Sequence, residues 1–268
     1  MHLAALLQKV RAAVDQAGEA ILAVYANPDR FNTQHKADDS PLTNADLAAN
    51  AILVERLAEL TPDIPILSEE SRHAPWSERR HWQSCWVVDP LDGTREFLKR
   101  NDEFTVNVAL VKDHEPVLGV VLAPALGKAY FAAAGEGAWR QLGDQDPQPI
   151  RVVDRKEGQS WRVVGSRSHS TPAVDAFVQR LGAAELVSMG SSLKLCLIAD
   201  GSADVYPRLG PTSEWDTCAA QAVVEQAGGR VLDAETGKPL RYNARETLLN
   251  PHFVACARPD ANWFPASP

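Results

Sequence analysis

Cys85-Trp86-Val87-Val88-Asp89-Pro90-Leu91-Asp92-Gly93-Thr94 is the stretch of this 268-residue chain on which the rest depends. Cys85 to Val88 reads as a buried strand. Two carboxylates, three residues apart, emerge at its end, and a Gly-Thr pair follows at once. Carboxylates and a freed backbone carbonyl suit a hard, oxygen-loving cation such as Mg²⁺. Gly93 lets the backbone approach an anion closely, and Thr94 adds a hydroxyl and an N–H. One short segment therefore offers seats for a metal and a phosphate, which points to phosphate-ester chemistry. Taken alone, Asp89-x-x-Asp92 also fits a turn with an Asx cap, and Asp92-Gly93 is a turn dipeptide in its own right.

Upstream, Leu3, Leu6, Leu7, Val10, Val14 and Ile21 recur at helical spacing and predict an opening amphipathic helix. Its apolar face suits packing against a sheet, with membrane-surface docking as the alternative use. A polar loop is expected from Asn27 to Pro41. Thr43 reads as the N-cap of a helix running to Leu60, with Asp46 at N3. Pro62 and Pro65 end it, and a short buried strand, Ile66-Leu67, delivers Ser68-Glu69-Glu70-Ser71. Downstream, Phe104 to Lys112, Pro116 to Ala123 and Lys128 to Ala133 read as strands of an antiparallel meander. Gly135-Glu136-Gly137-Ala138 reads as a turn. The polar stretch Gly143 to Pro147 marks a boundary. Residues 1–145 then form an α+β half and residues 146–268 an α/β half of one compact unit. In the second half, strands are expected at Trp161–Gly165, Leu186–Met189 and Ala203–Tyr206. Helices are expected at Pro172–Leu181, Ser191–Ala199 and Ser213–Gly228.

Five acids stand at element ends rather than along helix faces: Asp46, Glu69, Asp89, Asp92 and Asp216. Separately each has an ordinary explanation. Glu69-Glu70 fits a solvated pair, and Asp216 fits an acid favoured by the dipole at a helix N-terminus. Together they are compatible with one oxygen-ligand cluster. Close carboxylates repel unless a cation or a proton neutralises them. The seven histidines show no metal-ligand spacing, and no nucleophile elbow or Walker loop is present.

Composition narrows the class. The net charge of −8 disfavours general nucleic-acid binding. Cys85, Cys196, Cys218 and Cys256 are scattered, which reads as reduced, mostly buried thiols of a cytosolic protein. The charged N-terminus does not read as a signal peptide, and no apolar run approaches the roughly 20 residues that span a bilayer. None of these features specifies an oligomeric state.

Ser68-Glu69-Glu70-Ser71, Asp89-Pro90-Leu91-Asp92-Gly93-Thr94 and Glu214-Trp215-Asp216-Thr217 together resemble the inositol monophosphatase superfamily of metal-dependent, lithium-sensitive phosphatases. The resemblance covers nearly the whole chain. Ser40-Pro41-Leu42-Thr43-Asn44-Ala45-Asp46, Thr94-Arg95-Glu96-Phe97, Ser166-Arg167-Ser168-His169, Gly190-Ser191-Ser192-Leu193-Lys194 and Asp204-Val205-Tyr206-Pro207-Arg208 are most similar to its bacterial 3'(2'),5'-bisphosphate nucleotidases. Ser68 departs from the glycine that many members carry before Glu-Glu.

The resemblance implies a layered α-β-α-β-α sandwich with its cleft between the two halves. It implies hydrolysis of the 3'-phosphate of adenosine 3',5'-bisphosphate to AMP by a metal-activated water, with phosphoadenosine phosphosulfate as a further substrate. Glu69, Asp89 and the Leu91 carbonyl would hold one Mg²⁺. Asp89, Asp92 and Asp216 would hold a second, and a third, weaker ion is compatible. The Asp92-Gly93-Thr94 backbone would cradle the scissile phosphate, while Thr94 and Asp46, with Glu69, would activate the water. Lys194 and Arg208 are candidates for the second phosphate, and Ser166, His169 and Ser191 for lining the nucleotide pocket. Related bacterial enzymes suggest peripheral association with the cytoplasmic face of the inner membrane. Two alternatives stay open: an inositol or sugar monophosphatase with the same metal site, and a non-catalytic phosphate sensor on this fold.

Overall fold

The computed structural model describes residues 2–28, 31, 33–35, 41–165 and 171–264. Helix α1 (Leu3–Tyr25) and helix α2 (Asn44–Leu60) flank two short strands, β1 (Gln34–His35) and β2 (Pro41–Leu42), which pair antiparallel inside the expected polar loop. Then come β3 (Ile66–Ser68), α3 (Trp76–Arg79), β4 (Ser84–Asp92), α4 (Thr94–Lys99), β5 (Thr105–Lys112), β6 (Glu115–Ala123), β7 (Lys128–Ala133), β8 (Gly137–Leu142) and β9 (Gln148–Ile150). The strands β3 to β9 lie side by side in chain order, β3 parallel to β4 and each later pair antiparallel. The meander is therefore longer than its sequence signals, since β8 and β9 have weak apolar patterns.

The Gly143–Pro147 stretch turns β8 into β9 within this sheet. The chain leaves the first sheet only after Ile150, downstream of the boundary placed at residue 145. A polar Gly-Asp-Pro cluster marks a turn; it carries no information about which sheet the next strand joins.

The second half builds β10 (Trp161–Gly165), α5 (Pro172–Leu181), β11 (Ala184–Ser188), α6 (Leu193–Ala199), β12 (Val205–Arg208), α7 (Cys218–Gln226), β13 (Arg230–Asp233) and β14 (Phe253–Cys256). Their order is β11-β10-β12-β14-β13, with β14 antiparallel to both neighbours. The helix expected over Ser213–Gly228 is divided. Glu214–Asp216 forms a 3₁₀ turn, and Thr217, at φ −126°, separates it from α7.

Residue parity shows why the layers stack. Trp86, Val88, Val106 and Val108 face α1 and α2. Cys85, Val87, Ala109 and Val111 face the opposite way, onto α6, α7 and the inner side of the second sheet at Val164, Tyr206, Val231 and Phe253. Val163, Val205 and Val254 face outward, against Phe177 of α5 and Trp263. The result is an α-β-α-β-α sandwich with α6 and α7 in its middle layer. Because β5 is covered on both faces, Thr105 and Asn107 are as buried as its valines. Its alternation therefore separates two buried faces rather than core from solvent. All four cysteines are free and buried, and among the described residues no helix is long and apolar enough to cross a membrane.

Candidate active site

In a regular strand, residues three apart point to opposite faces. Asp89 lies opposite Asn107 and Asp92 opposite Thr105, so β4 spends three steps where β5 spends two. This one-residue bulge at Pro90-Leu91 turns both carboxylates toward the same face, the one that meets α6 and α7. Leu91 points the other way, into the core beneath α1 and α2. The Asx turn weighed from sequence is present as well: the Leu91 N–H donates to Asp89 Oδ1 at 3.0 Å.

Asp216 reaches the pair from the second half. It sits at N3 of the 3₁₀ turn and accepts from the Ser213 N–H at 2.8 Å. Asp89, Asp92 and Asp216 each present a carboxylate oxygen within 4.8 Å of the other two. Asp89 is buried, whereas Asp92 and Asp216 keep an edge open to the cleft. Glu69 follows β3 with its N–H bonded to the Val88 carbonyl at 3.1 Å, and its charge acts on all three aspartates.

Burial is the main cause pushing each of these carboxyls up, and the neighbouring acids add to it. Asp89 is driven well above the usual carboxylate range, Asp92 to about 6 and Asp216 to about 8. Lys194 and the Ser192 N–H pull Asp92 back, and Arg208 does so for Asp216. Desolvated acids this close must share protons or a cation. Oxygen donors in this arrangement fit a hard divalent ion.

Beside this cluster, Asp46 serves two purposes with two oxygens. Its Oδ2 accepts from the Thr43 N–H at 2.8 Å and the Thr43 hydroxyl at 2.6 Å, completing the capping box of α2. Its Oδ1 accepts from the Thr94 hydroxyl at 3.2 Å, which also lies 3.3 Å from the Leu91 carbonyl. Gly93 between them has φ +89°, and a Cβ there would collide with Ser191 Oγ. Glycine is thus required twice over.

The inositol monophosphatase family model matches residues 3–262 of the chain. The chain belongs to that family. It is 49% identical over 248 residues to the 3'(2'),5'-bisphosphate nucleotidase CysQ of Salmonella typhimurium, covering 92% of this chain and 98% of the relative. The CysQ crystal structure from Bacteroides thetaiotaomicron superposes with a TM-score of 0.84 at 41% identity, covering 95% of this chain and 98% of that one. The suppressor protein SuhB of Bartonella henselae is more distant, with a TM-score of 0.78, 25% identity and coverage of 94% and 93%. Metal dependence is the norm for inositol monophosphatase family enzymes, in keeping with the acidic cluster here.

Two cations line the cavity beside the acids. A cavity of about 140 Å³ is lined by Asp92, Glu96, Lys194, Tyr206, Arg208 and Asp216, among others. Lys194 Nζ stands 5.9 Å from the Tyr206 ring centre. Arg208 donates through one terminal nitrogen to the Pro211 carbonyl at 2.9 Å, while its buried Nε has no hydrogen-bond partner among the described residues. Ser191 also lines the cavity, at φ +48°, and its hydroxyl is engaged with the carbonyls of Glu103 at 2.6 Å and Asp92 at 3.0 Å. Ser166 and His169 lie outside the described residues.

Several residues escaped the sequence reading. Glu96 lines the cavity, and the only signal for it was the Thr94-Arg95-Glu96-Phe97 variant of the motif. Glu214, two residues before Asp216, is wholly buried. It accepts from the Asn243 N–H at 2.7 Å and is pushed up to about 7, chiefly by burial. Arg79 is buried with it and donates to the Asn243 side chain and the Arg245 carbonyl at 2.9 Å, and to the Glu246 carbonyl. Glu214 and Arg79 brace the turn from behind while Asp216 faces the cleft. Spacing alone does not separate these two acids.

Proposed function

We propose that this enzyme is a Mg²⁺-dependent 3'(2'),5'-bisphosphate nucleotidase that hydrolyses the 3'-phosphate of adenosine 3',5'-bisphosphate to AMP and phosphate. Phosphoadenosine phosphosulfate, which carries the same 3'-phosphate, is a second substrate. The observation that carries this reading is that Lys194 and Arg208 line one cavity together with Asp92 and Asp216 of the carboxylate cluster. A monophosphate needs only the carboxylate cluster and the ions it would hold; a second phosphate calls for side-chain cations as well.

Glu69, Asp89, Asp92, Asp216 and the Leu91 carbonyl are the groups that would hold two Mg²⁺, with a third ion compatible. Bound there, Mg²⁺ supplies positive charge for the phosphoryl oxygens and lowers the pKa of water. The chain's own residues supply the proton path. Thr94 Oγ1 donates to Asp46 Oδ1, so its lone pairs are left to accept a proton from the attacking water. Burial raises Asp46 from its ordinary value, against the hydrogen bonds from Thr43 and Thr94, and so favours uptake of that proton. The N–H groups of Gly93 and Thr94, at the start of α4, cradle the scissile phosphate. Arg208 Nε and the Lys194 ammonium receive the second phosphate.

Next to this cleft, a cavity of about 200 Å³ shares Tyr206 and Arg208 with it. Val174, Pro207, Leu209 and Pro211 make it more apolar, which suits a nucleoside. The buried free thiols support a cytoplasmic location. Phosphate release from adenosine 3',5'-bisphosphate, adenosine 3'-monophosphate and inositol 1-phosphate tests the reading. The bisphosphate is expected to give the highest kcat/KM. Faster turnover of the inositol ester would establish the monophosphatase alternative instead.

A further inference from the structure

Ser192 stands at the N-cap of α6, where a serine hydroxyl ordinarily accepts from an amide of its own helix. It makes no such bond. Its hydroxyl turns away from the helix and donates to Asn107 Oδ1 at 2.7 Å. Asn107 Nδ2 donates to Thr105 Oγ1 at 3.3 Å, and Thr105 Oγ1 and Ser192 Oγ lie 2.9 Å apart. With Thr105 donating to Ser192, each side chain gives one hydrogen bond and receives one, and the ring closes. All three residues are at most 3% exposed.

The placement of this ring connects it to the site. Thr105 is the register partner of Asp92, and Asn107 that of Asp89. The ring therefore lies beside the bulge that turns both acids the same way. The residue that brings α6 to the ring also holds Asp92, through the Ser192 N–H, which donates to Asp92 Oδ2 at 2.6 Å. Two residues on, Lys194 acts on the same carboxylate. A shift of Ser192 relative to β5 would move a backbone donor to Asp92 and a cation that acts on it together.

We propose that Thr105, Asn107 and Ser192 form a positioning ring that ties the start of α6 to β5 and orients Asp92, and thereby sets the affinity of the carboxylate cluster for a divalent cation. The inference rests on the cation reading of that cluster. The ring touches no reacting atom. It acts one step behind a direct outer partner, through the Ser192 N–H on Asp92; losing a direct partner weakens affinity about 10–100-fold, and the ring belongs at the lower end of that range. A closed buried ring suits this purpose because breaking one member leaves the other two unsatisfied.

The test is calorimetric titration of Mn²⁺ into EDTA-stripped, dialysed full-length protein, with no substrate present. Thr105→Val removes the hydroxyl at constant shape, whereas Thr105→Ser keeps the hydroxyl and loses a methyl. The valine variant is expected to bind Mn²⁺ about tenfold or more weakly, while the serine variant stays near the parent protein despite its own loss of packing. Ser192→Ala, which removes a single oxygen, gives the same readout should the valine variant not fold. Parent-like Mn²⁺ affinity in Thr105→Val and Ser192→Ala, with a lowered Tm alone, would overturn the proposal and leave the ring a packing feature. No Mn²⁺ binding by the parent protein would instead bring down the cation reading, and the proposal with it.

Discussion

Three aspartates within reach of one another are unfavourable to fold around, and Asp89, Asp92 and Asp216 show the cost in their raised pKa values. The consequence is a defined pH dependence for the metal-free protein. Carboxyls raised in the folded state bind more protons folded than unfolded between the two pKa values, so stability falls as pH rises. The loss begins near the unfolded carboxylate range and continues through about 6 for Asp92 and about 8 for Asp216. In EDTA, Tm is expected to fall steadily from pH 5 to pH 8, and added Mg²⁺ should remove most of that fall. Asp89→Asn keeps an oxygen for the Leu91 N–H and should blunt the fall in EDTA while abolishing most activity. A Tm flat with pH in the stripped protein would show that the cluster is not under this strain.

Single elements place those residues by small departures from regularity. The bulge in β4 sets the facing of Asp89 and Asp92, and the break at Thr217 lets Asp216 belong to a turn rather than to α7. At the start of α2 the capping box has a further use. Thr43 holds one Asp46 oxygen and so leaves the other aimed at Thr94. Thr43→Ala should cost about 1 kcal/mol as a lost cap, a Tm drop of about 2 °C. It should also lower kcat more than it changes KM, because Asp46, the proposed proton acceptor, loses its orientation. An unchanged kcat alongside the lower Tm would separate the cap from the chemistry.

Across the whole molecule, the cleft exists because α6 and α7 are packed between two sheets. Gly119 on β6 lies against α7; a Cβ there would run into the Ala219 carbonyl and the Ala222 methyl. Gly119→Val should therefore force α7 off the sheet, with an overpacking cost of about 1–3 kcal/mol. Because α7 follows directly on the turn that carries Asp216, the same variant should need more Mg²⁺ for half-maximal activity. Chemical denaturation and Mg²⁺ activation curves read the two effects. A stability loss with an unchanged Mg²⁺ requirement would mean that the turn holds Asp216 independently of the helix, through Arg79, Asn243 and Glu214.

Much of the site was legible because its motifs are local. Asp89 to Thr94, Thr43 to Asp46 and Glu214 to Thr217 each declare a carboxylate beside a turn, a cap or a strand end, and such chemistry shows in consecutive residues. The helical period likewise reported α1 and the alternation reported β5, while a cap and prolines bounded α2 and turn signals bounded β6 and β7. Tertiary structure alone decided the rest. The extra residue in β4 has meaning only against its partner strand, since facing is defined by register. Burial from both sides gave Thr105 and Asn107 a partner in Ser192, 85 residues or more along the chain, which no local pattern records. The difference between Asp216 in the cleft and Glu214 beneath it came from which side of one turn the second half packs against. Identity and spacing of the clustered acids are written in the chain; their convergence is a property of two sheets closing on a shared helical layer.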